Sequence, residues 1–197
     1  MLDFKIKKLD NFKFDYAELV EYYHKVQSDY THLKWNLPGT TDAVGFSWAI
    51  QTKMLDTSLP CPPYQMPGED LAQFNYNFDT PTDLVFGFAK KVIDKFPNVK
   101  QTVITAHGPG SSIDFHIDEE KWLGEEHVKI HLPIEANDQS YFQFEGEDFV
   151  LAPGHAYLVN TTIPHGTANK GNTHRAHFIF KIPLSYVETI LANGIKL

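Results

Sequence analysis

From about Val99 to Ile182 the chain is a run of short strand-like segments, and this constrains its fold more than any other feature. The candidates are Lys100–His107, Ser112–Ile117, His127–Ile134, Tyr141–Phe144, Asp148–Leu151, His155–Asn160 and His174–Ile182. Gly, Pro, Asn or Asp punctuates most of the gaps. Seven short strands at this spacing predict an antiparallel sandwich or barrel.

The first half has a different texture. Asp15 to Tyr30 carries apolar residues at Tyr16, Leu19, Val20, Tyr23 and Val26, a helical period with Asp15 placed as N-cap. Gly45–Gln51 reads as a strand. Leu59–Gly68 holds Pro60, Pro62, Pro63 and Pro67 and must be a loop. Thr82–Phe96 reads as a second helix, capped by Thr82 or Thr80 and stopped by Pro97. Leu184–Ala192 reads as a closing helix ended by Asn193-Gly194. The chain of 197 residues fits a single domain. Residues 1–98 are expected to form a helix- and loop-rich buttress and the substrate side, 99–183 the β core, and 184–197 the C-terminal helix.

Composition excludes some partners. The formal net charge is −8, which argues against nucleic acid or an anionic membrane surface, since both need a basic footprint. One cysteine, Cys61, permits no internal disulfide and fits a reducing compartment. The N-terminal MLDFKIKKLD lacks an apolar run, so no secretory leader is expected. No stretch is long and apolar enough to span a bilayer. A cytoplasmic location follows as an expectation.

Alternation along three strands is the next clue. One face of Ser112–Asp118 carries Ser112, Asp114, His116 and Asp118, and the other Ile113, Phe115 and Ile117. His127, Lys129 and His131 alternate with Val128, Ile130, Leu132 and Ile134. Arg175, His177, Ile179 and Lys181 alternate with Ala176, Phe178, Phe180 and Ile182. For any one strand, a solvent face opposite a core face explains the pattern. Three His-rich polar faces together point to a polar pocket inside a barrel.

The chemistry of that pocket is a metal's. Of ten histidines, eight lie between His107 and His177. Two imidazoles and one carboxylate on one side of a divalent ion leave positions open for substrate and oxygen. His116 and Asp118, at i and i+2, are candidates for two of the ligands. His165, following Pro164 in a turn-like segment, is a candidate for the third. Arg175 comes ten residues later and is the only arginine beside sixteen lysines. A generic surface cation in such a chain would be lysine, so the planar fork of Arg175 points to a carboxylate held bidentately.

These segments (FHIDEE, VKIHLPI, FVLAPGHAYLVN, IPHGTANKG and HRAHFIFKIP) resemble the Fe(II)/2-oxoglutarate-dependent dioxygenases. Within them the chain is most similar to the aspartyl/asparaginyl β-hydroxylase-like group, which includes some proline hydroxylases. The resemblance spans about Val103 to Pro183. It implies a mainly β, cupin-like double-stranded β-helix (a jelly-roll) with helices against one sheet. It also implies Fe(II) on His116, Asp118 and His165, with 2-oxoglutarate's distal carboxylate on Arg175. Lys129 and His131 fall where this group often has an arginine and a histidine near the cosubstrate; lysine is a departure. His177 shares the Arg175 face and is a candidate contact for cosubstrate or substrate.

The implied activity is hydroxylation of an amino acid or a protein or peptide side chain, with molecular oxygen as co-reactant. The alternatives are a cupin-like metalloenzyme that does not use 2-oxoglutarate and a non-catalytic jelly-roll binding protein. Glu119–Glu126 lengthens the loop after His116-x-Asp118, as a lid, a substrate contact or a plain surface loop. His107 reads as a turn-adjacent structural residue. Trp35, Trp48, Tyr64 and Trp122 either frame the opening or simply pack. Cys61, in a Pro-rich loop without a base, is not a nucleophile. The chain has no phosphate-binding Gly-rich loop, Ser nucleophile elbow or CxxC pair.

Overall fold

The computed structural model describes residues 3–31, 35–36, 47–54, 80–96, 98–118 and 127–197. The first half contributes β1 (Ile6–Lys8), β2 (Phe12–Lys13), α1 (Tyr16–Asp29), β3 (Trp35–Asn36), β4 (Trp48–Gln51), β5 (Lys53–Met54), β6 (Thr80–Pro81) and α2 (Gly87–Lys95). The β core follows as β7 (Lys100–His107), β8 (Ser112–His116), β9 (His127–Glu135), β10 (Ser140–Phe144), β11 (Glu147–Phe149), β12 (Tyr157–Val159), β13 (His165–Asn169) and β14 (Arg175–Pro183). The chain closes with α3 (Ser185–Asn193) and β15 (Ile195–Lys196).

Two antiparallel sheets hold the core. The larger runs β1-β12-β9-β14-β7-β4-β3, and the smaller β11-β10-β13-β8. The strands from β7 to β14 are divided between them, so the chain winds back and forth across the barrel. This is the double-stranded β-helix, and the jelly-roll expectation stands. β1, β3 and β4 lengthen the larger sheet, so the region before Val99 supplies strands as well as helices.

Helices cover the outer face of the larger sheet. Leu19, Tyr22, Tyr23 and Val26 from α1, Phe88, Ala89 and Val92 from α2, and Val187 and Ile190 from α3 pack with Ile130, Leu132, Phe178, Phe180 and Ile182. Phe178 meets Tyr22 and Phe88 edge-on. Each Val, Leu, Ile or Phe side chain among them, fully withdrawn from water, contributes roughly 1.5–3 kcal/mol. A smaller cluster of Phe142, Phe144, Leu151, Tyr157 and Val159 forms a second apolar core.

The helix ends show where local chemistry decides. Asp15 caps α1, its carboxylate accepting from the Glu18 amide at 3.1 Å. Gly194 ends α3 at φ 69° and donates to the Ile190 carbonyl, as expected from Asn193-Gly194. The second helix is shorter than its sequence predicts. It starts at Gly87 after an N-cap Phe86 that makes no side-chain cap bond. Thr82 instead closes a turn: its hydroxyl accepts from the Leu84 amide, and its carbonyl from Val85. A local side chain-to-backbone bond has won over the first helical turn. Pro97 lies outside the described residues.

Within the β core, the strand that the sequence does not announce is β13. Its Gly and Thr disguise it, yet all five of its residues are buried between β10 and β8. No helix among the described residues is long and apolar enough to cross a membrane.

Candidate metal centre

Register across the sheets decides which side chains share the barrel interior. In the larger sheet Arg175 pairs with His107, His177 with Thr105, Ile179 with His131 and Lys181 with Lys129. Directly opposed residues share a face. The polar side of β14 is therefore continuous with the polar side of β9, opposite the helix-covered face. It is no solvent face: His131, His177, Arg175 and Lys181 are all buried.

In the smaller sheet, strict alternation fails at one point. His116 pairs with His165, but Ile113 rather than Asp114 pairs with Thr167. The extra residue is a bulge in β8. Ile113 before the bulge and His116 after it thus lie on the same side, and Ser112 pairs with Ala168 on the other. The even-numbered face expected from Ser112 to Asp118 is broken there. Phe115 and Ile117 are exposed instead of packed.

Three donor atoms converge beyond that bulge. His116 Nε2 stands 3.6 Å from Asp118 Oδ1, and His165 Nε2 stands 3.6 Å from Asp118 Oδ2. All three ligand atoms lie within 4.8 Å of one another. Asp118 is past the end of β8, and its amide is tied to the Thr161 carbonyl at 2.9 Å.

Both rings are turned by the backbone. His116 Nδ1 lies 2.8 Å from the Asp114 carbonyl, and His165 Nδ1 lies 3.0 Å from the Ile163 carbonyl. A carbonyl only accepts, so each Nδ1 carries the proton and each Nε2 presents a lone pair to the cluster. Burial lowers the His165 pKa and favours its neutral form. Lys129 donates to Asp118 Oδ2. Burial works against the Asp118 carboxylate, but the charge and hydrogen bond of Lys129 hold its pKa well below the usual carboxylate range. Two imidazoles with Nε2 turned to the cluster and one carboxylate are therefore placed as donors, a set that fits a divalent transition ion.

A second group lies deeper. Arg175 is 4% exposed, and no carboxylate pairs with it among the described residues. Its guanidinium sits over the Phe142 ring at 4.8 Å and reaches His177 Nδ1 at 3.5 Å. Burial alone pushes its pKa down to about 9. His131 Nδ1 is 3.2 Å from the same His177 atom. Burial, then the Arg175 charge, pushes both histidines well below their ordinary range.

Phe142 joins the two groups. Its ring lies 5.1 Å from His131, 6.2 Å from His177 and 6.4 Å from His165, centroid to centroid. The expected residues thus fall into two linked sets. His116, Asp118, His165 and Lys129 form one; Arg175, His131 and His177 form the other. His107, expected to be structural, faces inward across from Arg175. Phe142 and Lys181 carry no role in the sequence reading. Lys181 contributes to the charge around Asp118, and its parity with Arg175 was the available clue. Phe142 had none, because cross-sheet packing alone brings it here. Glu119–Glu126, Tyr64, Trp122, Cys61 and the side chains of Trp35 and Trp48 lie outside the described residues.

A family model described as aspartyl/asparaginyl beta-hydroxylase matches residues 82–183, just over half of the chain. The chain belongs to the aspartyl/asparaginyl β-hydroxylase family. The matched span takes in α2 and the whole β core, with every site residue named above. No curated protein sequence matches. Among solved structures, the fold is similar to a Pseudomonas putida prolyl-4-hydroxylase. The TM-score is 0.50 at 10% identity, over 92% of this chain and 93% of that one. Two of the further structures that score 0.48 are a viral and a bacterial protein. A viral collagen prolyl hydroxylase from Paramecium bursaria Chlorella virus-1, a 2-oxoglutarate complex, is 11% identical over 91% of this β-hydroxylase family chain and 97% of its own. HygX from Streptomyces hygroscopicus, with nickel, 2-oxoglutarate and hygromycin B bound, is 13% identical over 91% and 83%.

Proposed function

We propose that the protein is an Fe(II)- and 2-oxoglutarate-dependent oxygenase that hydroxylates an amino acid or a protein or peptide side chain. The observation that carries the reading is Arg175, a buried cation with no carboxylate of its own among the described residues. A buried charge without a counter-ion costs several kcal/mol. Such a residue is retained where a ligand brings the anion. Phe142 links it to His165, so the anion it holds lies in the same pocket as the metal ligands.

His116, Asp118 and His165 would hold the iron, which when bound supplies the oxygen-activating redox chemistry that no side chain here can. The chain's own part is arrangement. The Asp114 and Ile163 carbonyls keep both Nε2 lone pairs directed at the ion. Lys129 holds Asp118 Oδ2, which leaves Oδ1, the oxygen nearer His116, for the metal. Three protein ligands leave coordination positions for cosubstrate and oxygen. Arg175 takes the distal carboxylate of 2-oxoglutarate through its planar fork. The ring of Phe142 walls the space between, and with Phe144 keeps it apolar.

The test is anaerobic calorimetry of the Mn(II)-loaded protein with 2-oxoglutarate, followed by succinate formation with Fe(II) and oxygen. Binding in the micromolar range that is lost in Arg175→Ala supports the reading. No 2-oxoglutarate binding to metal-loaded protein overturns it.

A further inference from the structure

Three buried groups meet at one atom. His177 Nδ1 lies 3.2 Å from His131 Nδ1 and 3.5 Å from Arg175 Nη2. A guanidinium can only donate. The Arg175 contact therefore needs a lone pair on His177 Nδ1, and the proton of neutral His177 sits on Nε2. Two lone pairs facing each other at 3.2 Å would repel, so His131 Nδ1 carries the proton and donates to the same acceptor. The proton of neutral His131 is then accounted for, and its Nε2 is a bare lone pair. That atom is buried and has no hydrogen-bond partner among the described residues.

We propose that His177 is a positioning residue whose Nδ1 lone pair sets the direction of the Arg175 fork and locks His131 as the Nδ1–H tautomer. The pocket then has two complementary ends. Arg175 offers N–H donors, with Phe142 over one face and His177 on one nitrogen leaving the remaining N–H groups for a carboxylate. His131 Nε2 offers an acceptor. A carboxylate repels that lone pair, so the cosubstrate's distal carboxylate belongs to Arg175. His131 Nε2 takes a group that brings a hydrogen, either a water or an N–H or O–H of the substrate. His177 touches neither ligand; it acts through both neighbours. The tautomer assignment follows from the contacts of two buried neutral rings, and only its consequence for ligand binding rests on the proposed function.

The test uses full-length protein with 15N-labelled histidine. Long-range proton–nitrogen spectra at neutral pH are expected to show His131 protonated on Nδ1 only and His177 on Nε2 only. His131 protonated on Nε2, or cationic, overturns the proposal. Two variants add a binding arm. His177→Asn can keep an acceptor oxygen near the position of Nδ1, whereas His177→Leu removes it. By anaerobic Mn(II) calorimetry, His177→Leu is expected to bind 2-oxoglutarate at least about tenfold more weakly, and His177→Asn to stay within about threefold of wild type. His177→Leu binding like wild type, with the His131 tautomer unchanged, overturns the proposal. If that variant does not fold, the wild-type spectrum still decides. Wild-type protein that shows the expected tautomers but binds no 2-oxoglutarate supports the His177 assignment and overturns the proposed function.

Discussion

His116 and His165 stand opposite each other in register, the last residue of β8 against the first of β13, with ring centroids 4.4 Å apart. Neither ring is held by the other. Each is turned by a carbonyl two residues upstream, which points both Nε2 atoms at Asp118. Replacing either histidine with alanine should therefore weaken Mn(II) or Fe(II) binding by at least about tenfold, the loss of one of three ligands. Metal titration followed by the rise in melting temperature measures it. Wild type should be stabilised by the ion and both variants should not.

The bulge in β8 is what brings His116 opposite His165, and Gly166 permits it. A Cβ on Gly166 would stand 2.9 Å from the Ile113 carbonyl oxygen and 3.4 Å from the Phe115 ring. Backbone must shift to relieve the first contact. Gly166→Ala is expected to cost about 1–3 kcal/mol in urea unfolding, as overpacking does, and to weaken metal binding through misplaced rings. Unchanged metal affinity would show that the ligand geometry tolerates a shifted β8.

Arg175 trades stability for binding. In Arg175→Met the buried cation is replaced by an apolar chain of similar length. The ligand-free protein should gain roughly 1–4 kcal/mol, as seen when buried charges give way to packed apolar groups. It should lose 2-oxoglutarate binding in the same step. The pH dependence follows from the sign of the shift. Only the protonated guanidinium holds a carboxylate, and burial lowers its pKa to about 9 in the free protein. Affinity should be flat with respect to this group below that value and fall about tenfold per pH unit above it. Calorimetry between pH 7 and 10 reads the slope.

Lys129 holds Asp118 ionised. A carboxylate whose folded pKa lies below its unfolded value contributes stability that is present above the unfolded value and is lost as pH falls through the folded one. Lys129→Met removes the cation that keeps Asp118 depressed. The stability difference between wild type and variant should be full near neutrality and shrink below about pH 4. The same variant should bind Mn(II) roughly tenfold more tightly, since the positive charge that Lys129 places beside the Asp118 carboxylate no longer repels the ion. Chemical unfolding across pH and metal titration check the two halves.

The β core was legible because alternation survives in β9 and β14, where apolar residues line one face and His, Arg and Lys the other. The capped ends of α1 and α3 were equally plain, since Asp15 and Gly194 act within their own turns. β13 was not legible: His165–Asn169 has neither a β-branched run nor apolar alternation, and neighbours on both sides make it a strand. Thr82 misled for the opposite reason, because its hydroxyl closes a turn where a helix cap was expected.

His116, Asp118, His165 and Arg175 could be named from residue type, spacing and the rarity of arginine, because metal and carboxylate chemistry limits which side chains serve. What the sequence alone determined was this inventory and the strand periods that carry it. Tertiary structure decided the rest. The bulge set which residues of β8 face inward, Phe142 tied the candidate metal ligands to Arg175, and Lys129 met Asp118. Two imidazoles and a guanidinium meet at one nitrogen of His177 for the same reason. Each depends on which strand lies opposite which, and at what offset. A period of two along one strand carries no information about its partner's register, so these contacts exist only once both sheets have closed.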